Sequence, residues 1–295
     1  YTLPAMKEML LLGLLLSVFC GCGASVETAS TLYFTAIPDD NTTELKQKFD
    51  PFADYLAQEL GVAVKYLPTS NYAASVEAFK NGDVLLAWFG GLTGVQARAA
   101  VPGSTAIAQG KVDLIYRSYF IANQQSGLKP SRTFPLGLKN KSFTFGSPSS
   151  TSGRLMPEHF IRKNTGQSPQ EFFGGPLQFS GSHDKTALLV QSGSFDAGVL
   201  SFKTYEKLIE QGKLNPKECF ILWTTPHYPD YNWTAHPNLE TQLGEGTTQA
   251  VQTALLQLKD PDLLRAILRP EGLIPASNSD FIPVKKLALA LGFLR

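Results

Sequence analysis

The run Phe145-Gly146-Ser147-Pro148-Ser149-Ser150-Thr151-Ser152-Gly153 decides how this chain is read. A short apolar stretch (Phe143, Phe145) precedes it and a helix-like segment over residues 154–164 follows, giving strand, hydroxyl-rich turn and helix start. Unsatisfied N–H groups at a helix N-terminus lie at the positive end of the helix dipole, and beside a row of Ser and Thr hydroxyls they make a seat for a tetrahedral oxyanion. Gly153 lets the backbone approach such a ligand closely. The same residues also read as an over-supplied N-cap, because a single Ser or Thr serves that purpose.

Upstream of this turn the chain alternates strand and helix. Residues 31–37 are β-rich, Asp39, Asp40, Asn41 and Thr42 supply caps for an amphipathic helix to residue 60, and Gly61 ends it. Pro51 inside that helix should kink or split it. A strand over 63–67, a helix over 72–81 and an unalternating strand over 84–89 follow, and Gly90-Gly91-Leu92-Thr93 turns into another helix. Further strands are expected over 105–109 and 115–122, with the polar segment 123–133 as the join to a second lobe. Beyond the join the pattern restarts: the hydroxyl turn and its helix, a strand over 177–179, Ser180-Gly181-Ser182-His183-Asp184 opening a helix to 192, a strand over 196–200, a helix over 203–211 and a strand over 219–224. The Pro-rich stretch 225–237 returns the chain to the first lobe, completed by helices over 247–258, 262–268 and 284–291. The fold class is therefore α/β in two lobes, 30–122 plus 225–295 and 123–224, each a mostly parallel sheet flanked by helices. Ligands of such sheets bind beyond the carboxyl ends of the strands, where Tyr72, Trp88, Phe89, Gly90 and Thr93 fall.

The N-terminal region reads as a leader rather than as part of the fold. Lys7 precedes an apolar run to Cys20, the length of a signal-peptide core and too short to span a membrane, so residues 1–21 are expected to be removed on export. Gly21-Cys22 resembles a lipoprotein cleavage site that leaves Cys22 lipidated, with a plain cut near Ala24-Ser25 as the alternative. Removing 21 of 295 residues leaves 274, natural for two lobes. Cys219 is then the sole thiol of the mature body, set in an apolar run as a small hydrophobe, and offers neither a disulfide nor a thiol nucleophile. With 26 basic against 25 acidic residues there is no electrostatic footprint for nucleic acid, and anion recognition must be local.

The second informative turn, Ser182-His183-Asp184, also stands where a strand gives way to a helix, so its N–H groups and imidazole can face the same anion as Ser150, Thr151 and Ser152. Taken alone it reads first as a capping Ser beside a satisfied or surface His; together with the hydroxyl turn the ligand reading leads. Ser182-His183-Asp184-Lys185 fits S-x-x-K, but the companion motifs of penicillin-recognising enzymes are missing, and there is no G-x-S-x-G elbow or P-loop. His159, His183, His227 and His236 are scattered without ligand spacing, so no metal and no cofactor is expected. The aromatics Tyr72, Trp88, Phe89, Tyr228, Tyr231 and Trp233 form either a cleft wall or core.

These residues together resemble the substrate-binding proteins of phosphonate, phosphite and phosphate ABC importers, including selenate-binding relatives, from Leu32 to about Leu291. The resemblance rests on Tyr72-Ala73-Ala74-Ser75-Val76-Glu77-Ala78, Ala87-Trp88-Phe89-Gly90-Gly91, Ser149-Ser150-Thr151-Ser152-Gly153 and Ser180-Gly181-Ser182-His183. It implies a type II-like periplasmic-binding fold with a two-crossing hinge, closing on its ligand. It also implies that Ser150, Thr151, Ser152 and His183 hold the oxyanion and that Tyr72 and Phe89 line the pocket, with Trp88, Gly90, Asp184, Lys203, Asp230 and Tyr231 as further candidates. The implied partners are a small inorganic or organophosphorus oxyanion and a membrane permease, with a monomeric protein and no enzyme activity.

Two departures from members that bind aminoalkylphosphonates matter: Phe89 stands for a Tyr, and Lys203 for an amine-binding Glu. Both favour a small inorganic anion. A carboxylate facing the ligand, Asp184 or Asp230, would favour an anion that carries a proton. An exported hydrolase or transferase of phosphate or sulfate esters, and a ligand-sensing module for a membrane receptor, are the competing functions.

Overall fold

The computed structural model describes residues 1–2 and 31–294; Cys22 and nearly all of the expected leader lie outside the described residues. Among the described residues no helix is long and apolar enough to cross a membrane.

The chain begins with β1 (Leu32–Ala36), α1 (Thr42–Leu60), β2 (Val64–Tyr66), α2 (Tyr72–Lys80), β3 (Leu86–Phe89), α3 (Gly91–Ala100) and β4 (Thr105–Gly110). The cap of α1 is Asn41, whose side chain accepts the Glu44 N–H at 3.0 Å, and Gly61 ends the helix in the left-handed conformation at φ 67°. Contrary to expectation the helix runs unbroken through Pro51. Pro51 and Gln47, the residue four back whose carbonyl loses its N–H partner, both lie on the exposed side of the helix.

The chain then leaves this sheet and builds β5 (Ser118–Asn123), β6 (Phe143–Phe145), a π turn (Thr151–Leu155) leading into α4 (Met156–Thr165), α5 (Pro169–Phe173), β7 (Gln178–Phe179), α6 (His183–Gln191), β8 (Ala197–Ser201), α7 (Phe202–Glu210) and β9 (Cys219–Thr224). It returns as β10 (Asn232–Ala235), α8 (Asn238–Leu243), α9 (Thr247–Gln257), α10 (Pro261–Ala266), β11 (Leu273–Pro275) and α11 (Ile282–Ala290). One sheet has the order β11-β4-β10-β3-β1-β2 and the other β7-β6-β8-β5-β9. β5, which precedes the boundary expected at residue 122, pairs antiparallel with both β8 and β9.

Both sheets are mixed. β1, β2 and β3 pair in parallel, as do β6, β7 and β8. The strand that follows each crossing, β5 in one sheet and β10 in the other, is inserted between two others and runs antiparallel to both. β10 lies within the Pro-rich return segment, where Pro226, Pro229 and Pro237 flank Asn232–Ala235 without interrupting it. The crossings touch at Tyr116 and Tyr228, whose backbones exchange N–H···O bonds of 2.9 and 3.0 Å.

Each lobe is held by an aromatic core. Phe34, Phe49, Phe52 and Trp233 pack in the first, Phe52 stacked on Trp233 at 5.1 Å, and Phe120, Phe134, Phe143 and Trp223 in the second. Cys219 is buried, and burial pushes its thiol up to about 12, which keeps it inert.

Candidate functional site

The parallel strands β1 and β3 end side by side, Ala36 opposite Trp88, so Asp39 and Gly90 emerge at one edge. β6 and β8 do the same in the other lobe, delivering the turn after Phe145 and the residue Ser201. The two edges face each other across the cleft.

The hydroxyl turn is a wide one. Its first helical bond runs from Leu155 N–H to the Ser150 carbonyl (3.0 Å), five residues back, and Ser150 Oγ takes the Gly153 N–H at 2.9 Å. The N–H groups of Thr151 and Ser152 precede that first bond and point out of the turn's own ladder. Close packing fixes the shape: a Cβ on Gly153 would stand 3.0 Å from Ser150 Oγ and 3.1 Å from Gly146 Cα. Ser118, on the strand entering the lobe, donates to the Ser152 carbonyl at 2.7 Å and meets the Tyr228 hydroxyl at 2.5 Å. The hydroxyl turn is thereby tied to both crossing segments.

His183 is the first residue of α6. Its ring is fully buried, and burial lowers its pKa, partly offset by Asp39 and Asp184. Nδ1 accepts the Ser201 N–H (3.3 Å), which leaves Nε2 as the protonated nitrogen of the neutral ring, 3.4 Å from Ser152 Oγ. A neutral donor thus faces the cleft. Asp184 does not: it accepts the Ser182 hydroxyl.

From the first lobe come Tyr72, Gly90 and Asp230. Asp230 Oδ1 accepts the Gly91 N–H at 2.9 Å, and Leu92 N–H donates across the cleft to Thr151 Oγ1 at 2.9 Å. A Cβ on Gly90 would lie 3.2 Å from both Asp230 Oδ1 and Thr151 Oγ1, so only glycine lets these two groups meet there comfortably. Two buried polar atoms at this junction have no hydrogen-bond partner, Asp230 Oδ2 and the Tyr72 hydroxyl. Burial raises the Asp230 carboxyl to about 7; the Gly91 N–H, Thr151 and Arg269 work against that shift and Asp113 with it. Burial, then the charges of Asp39 and Asp230, holds the Tyr72 hydroxyl well above its ordinary value, so it remains a donor. Buried polar atoms rarely go unpaired, and an acceptor and a donor left free beside four hydroxyl or imidazole groups describe a ligand seat.

The aromatic residues divide. Trp88 and Tyr231 stack at 5.4 Å, and the Tyr231 hydroxyl donates to Asp39 Oδ2 at 2.9 Å. Arg269 lies behind them, 5.2 and 4.9 Å from the two rings, and is buried in a bidentate pair with Asp113 (2.7 and 2.5 Å). Phe89 is fully buried against Phe79, and Trp233 is core. Lys203 stands away from the hydroxyl turns, its Nζ 5.2 Å from the Phe202 ring, lining an outer groove between the lobes with Glu44, Glu206 and Lys207.

Three contributors escaped sequence reading. Asp39 has the sequence character of a helix cap, yet its carbonyl accepts the His183 N–H across the cleft at 3.2 Å. Its place two residues after Ile37, at a strand's carboxyl end, is the signal that could have found it. Ser118 and Ser201 sit inside apolar strands and gave no signal. No group of three or more His, Cys, Asp or Glu among the described residues is placed to hold a metal.

Two lobes of this topology, meeting over a buried, donor-lined cleft next to a double crossing, define a solute-binding protein. Residues 34–281 match the family described as "ABC transporter, phosphonate, periplasmic substrate-binding protein". The chain is 43% identical over 225 residues to the probable ABC transporter phosphite binding protein PhnD1 of Prochlorococcus marinus, across 76% of this chain and 75% of that one. It is 25% identical over 270 residues to the phosphonates-binding periplasmic protein of Escherichia coli, across 89% and 77%. The solved structure of PhnD1 from P. marinus in complex with methylphosphonate matches with a TM-score of 0.84 at 37% identity, across 90% of this chain and 99% of that one. The chain belongs to the periplasmic phosphonate-binding family and is a substrate-binding component of an ABC transporter.

Proposed function

We propose that the protein binds a small, singly protonatable phosphorus oxyanion of the phosphite or methylphosphonate class and presents it to a membrane permease. The observation that carries this is the pairing of one free carboxylate oxygen, Asp230 Oδ2, with a ring of donors: the hydroxyls of Tyr72, Ser150, Thr151 and Ser152 and the Nε2–H of His183. A site made only of donors suits a fully deprotonated anion. An added acceptor on a group with a pKa near 7 suits a pair that holds one proton between ligand and protein, because a bare carboxylate against a bare anion is costly. Sulfate and selenate bring no proton, depend on the protonated fraction of Asp230 and are disfavoured as the pH rises above 7.

An aminoalkylphosphonate is disfavoured for a different reason. Phe89 brings no hydroxyl, and Lys203 faces the outer groove, so neither position offers a partner for an ammonium group. One relative, PhnD1 of P. marinus, is named for phosphite, and its solved structure holds methylphosphonate, which agrees with this choice. We read Cys22 as a lipid anchor that keeps the mature protein at the outer face of the cytoplasmic membrane.

The test is titration calorimetry of the protein, freed of ligand by unfolding and refolding, against phosphite, methylphosphonate, phosphate, 2-aminoethylphosphonate, sulfate and selenate. Phosphite or methylphosphonate should bind tightest. Tightest binding of sulfate, selenate or the aminoalkylphosphonate would overturn the reading.

A further inference from the structure

Three ion pairs cross the cleft among the described residues, and four side chains make all of them. Lys207, on α7 of the second lobe, pairs with Asp40 and, at 2.8 Å, with Glu44 of the first. Lys213, just beyond α7, reaches Glu44 at 2.5 Å. Lys207 and Asp40 are nearly out of solvent, with side-chain exposures of 11% and 5%, whereas Lys213 is half exposed at 48%. None of the four lines the ligand seat. The opposite side of the cleft is closed differently, by Leu155 packed into a cluster with Leu92, Phe281 and Val284 and by Arg154 set 5.3 Å from the Phe293 ring.

We infer that Lys207 is an affinity-determining residue that acts from outside the binding site, as an ionic latch holding the lobes closed over the ligand. The inference rests on the reading of this protein as one that closes on its solute. Each pair joins one lobe to the other, so opening must break all three, and closing must desolvate Lys207 between two carboxylates. The latch is also joined to the site through the backbone: Asp40 forms the latch, and the preceding residue, Asp39, accepts the His183 N–H and the Tyr231 hydroxyl. A ligand that draws His183 and the first lobe together therefore sets Asp40 in place for Lys207. The carboxylates hold the Lys207 ammonium in its charged form against the effect of burial. Lys213, exposed to solvent and to salt, contributes little.

The latch predicts slower ligand release. It does not predict altered ligand choice, since no latch atom touches the anion. Lys207→Met keeps most of the stem and removes the charge; a lost charge-assisted, partly desolvated contact amounts to about tenfold in affinity. It also leaves Asp40 and Glu44 without their shared cation, so Lys207→Met combined with Asp40→Asn and Glu44→Gln serves as the control for bare repulsion.

The experiment measures phosphite affinity and release rate at about 20 mM and about 1 M salt for the wild type, the single variant and the triple variant. Spin labels at exposed Lys65 and Lys163, one in each lobe, report the interlobe distance with and without phosphite. The expected result is a roughly tenfold loss of affinity in both variants, carried mainly by faster release, with a flatter salt response and an unchanged ranking of anions. A single variant within twofold of the wild type in affinity and salt response overturns the latch. So does full recovery in the triple variant, because the single variant's loss is then only repulsion. Should phosphite fail to bind the wild type, the ligand assignment fails separately, and the ligand-free distance distribution still decides: fewer closed molecules in Lys207→Met support the latch, and an unchanged distribution refutes it.

Discussion

Replacing Asp230 by Asn is the perturbation that bears most directly on how the site selects its anion. The carboxyl is 1% exposed, Oδ1 is engaged by the Gly91 N–H, and Oδ2 has no partner. With a pKa near 7, only about 3% of the carboxyl is protonated at pH 8.5. An anion that brings no proton, such as sulfate, needs that protonated fraction. Its apparent affinity should therefore fall about thirtyfold between slightly acidic pH and pH 8.5. Phosphite can supply the proton itself and should hold its affinity until its own second proton is lost, after which binding weakens about tenfold per pH unit.

Asp230→Asn removes the titrating group, so the sulfate profile should flatten and the preference for protonatable anions should shrink. The sign on stability is opposite to that of a paired carboxylate. The folded pKa lies above the unfolded value of 3.8, so the folded state binds the extra proton and stability declines from about pH 4 to pH 7. Three units correspond to about 4 kcal/mol as an upper bound, and ligand-free Asp230→Asn should melt above the wild type at pH 8 but not at pH 4. Calorimetry in buffers of different ionisation enthalpy measures the proton count directly. If the pH profiles of the variant and the wild type coincide for sulfate and for melting, the argument from Asp230 is wrong.

Further outcomes follow from other contacts. Thr151→Val deletes the acceptor of the cross-cleft Leu92 N–H bond and should weaken phosphite binding by about 1–3 kcal/mol, while Ser150→Ala should lose a similar amount and also the cap on Gly153; calorimetry checks both. Gly90→Ala puts a Cβ 3.2 Å from Asp230 Oδ1 and Thr151 Oγ1 and should weaken binding more than it lowers the ligand-free melting temperature, a split that scanning calorimetry with and without phosphite resolves. Burial lowers the pKa of His183 and favours its neutral form, so its titration should not account for changes in binding above neutral pH, and His183→Gln, which keeps a donor, should retain part of the affinity in calorimetry. Mass spectrometry of the native N-terminus should find diacylglyceryl on Cys22; an unmodified chain beginning further on contradicts the anchor.

How much of this was legible in the sequence depends on range. The alternation of apolar strands with capped helices is written in neighbouring residues, which is why β1, α1, β3 and the hydroxyl turn could be placed from composition, caps and Gly alone. β10 could not, because its four residues lie among prolines and owe their extended form to β3 and β4 on either side. For the same reason the sheet that β5 joins is not legible locally: it is decided by its partners β8 and β9, which lie far along the chain. Pro51 shows the converse, a strong local signal outweighed because it stands on the exposed side of α1 while the apolar face of the helix, Leu45, Phe49, Phe52, Ala53 and Leu56, is buried.

The site divides along the same line. Ser150, Thr151, Ser152 and His183 stand where local geometry alone aims donors outward, at helix starts that follow strands. Asp230 has no such mark. It follows Pro229 in a crossing segment, and its role comes from Gly91, Thr151 and Tyr72 brought in by three other elements. The donors proposed to hold an anion can thus be read one turn at a time, whereas the acceptor proposed to choose among anions exists only where the folded lobes meet. A variant series confined to the two hydroxyl turns should accordingly change affinity for all tetrahedral anions together, and variation at Asp230 should reorder them.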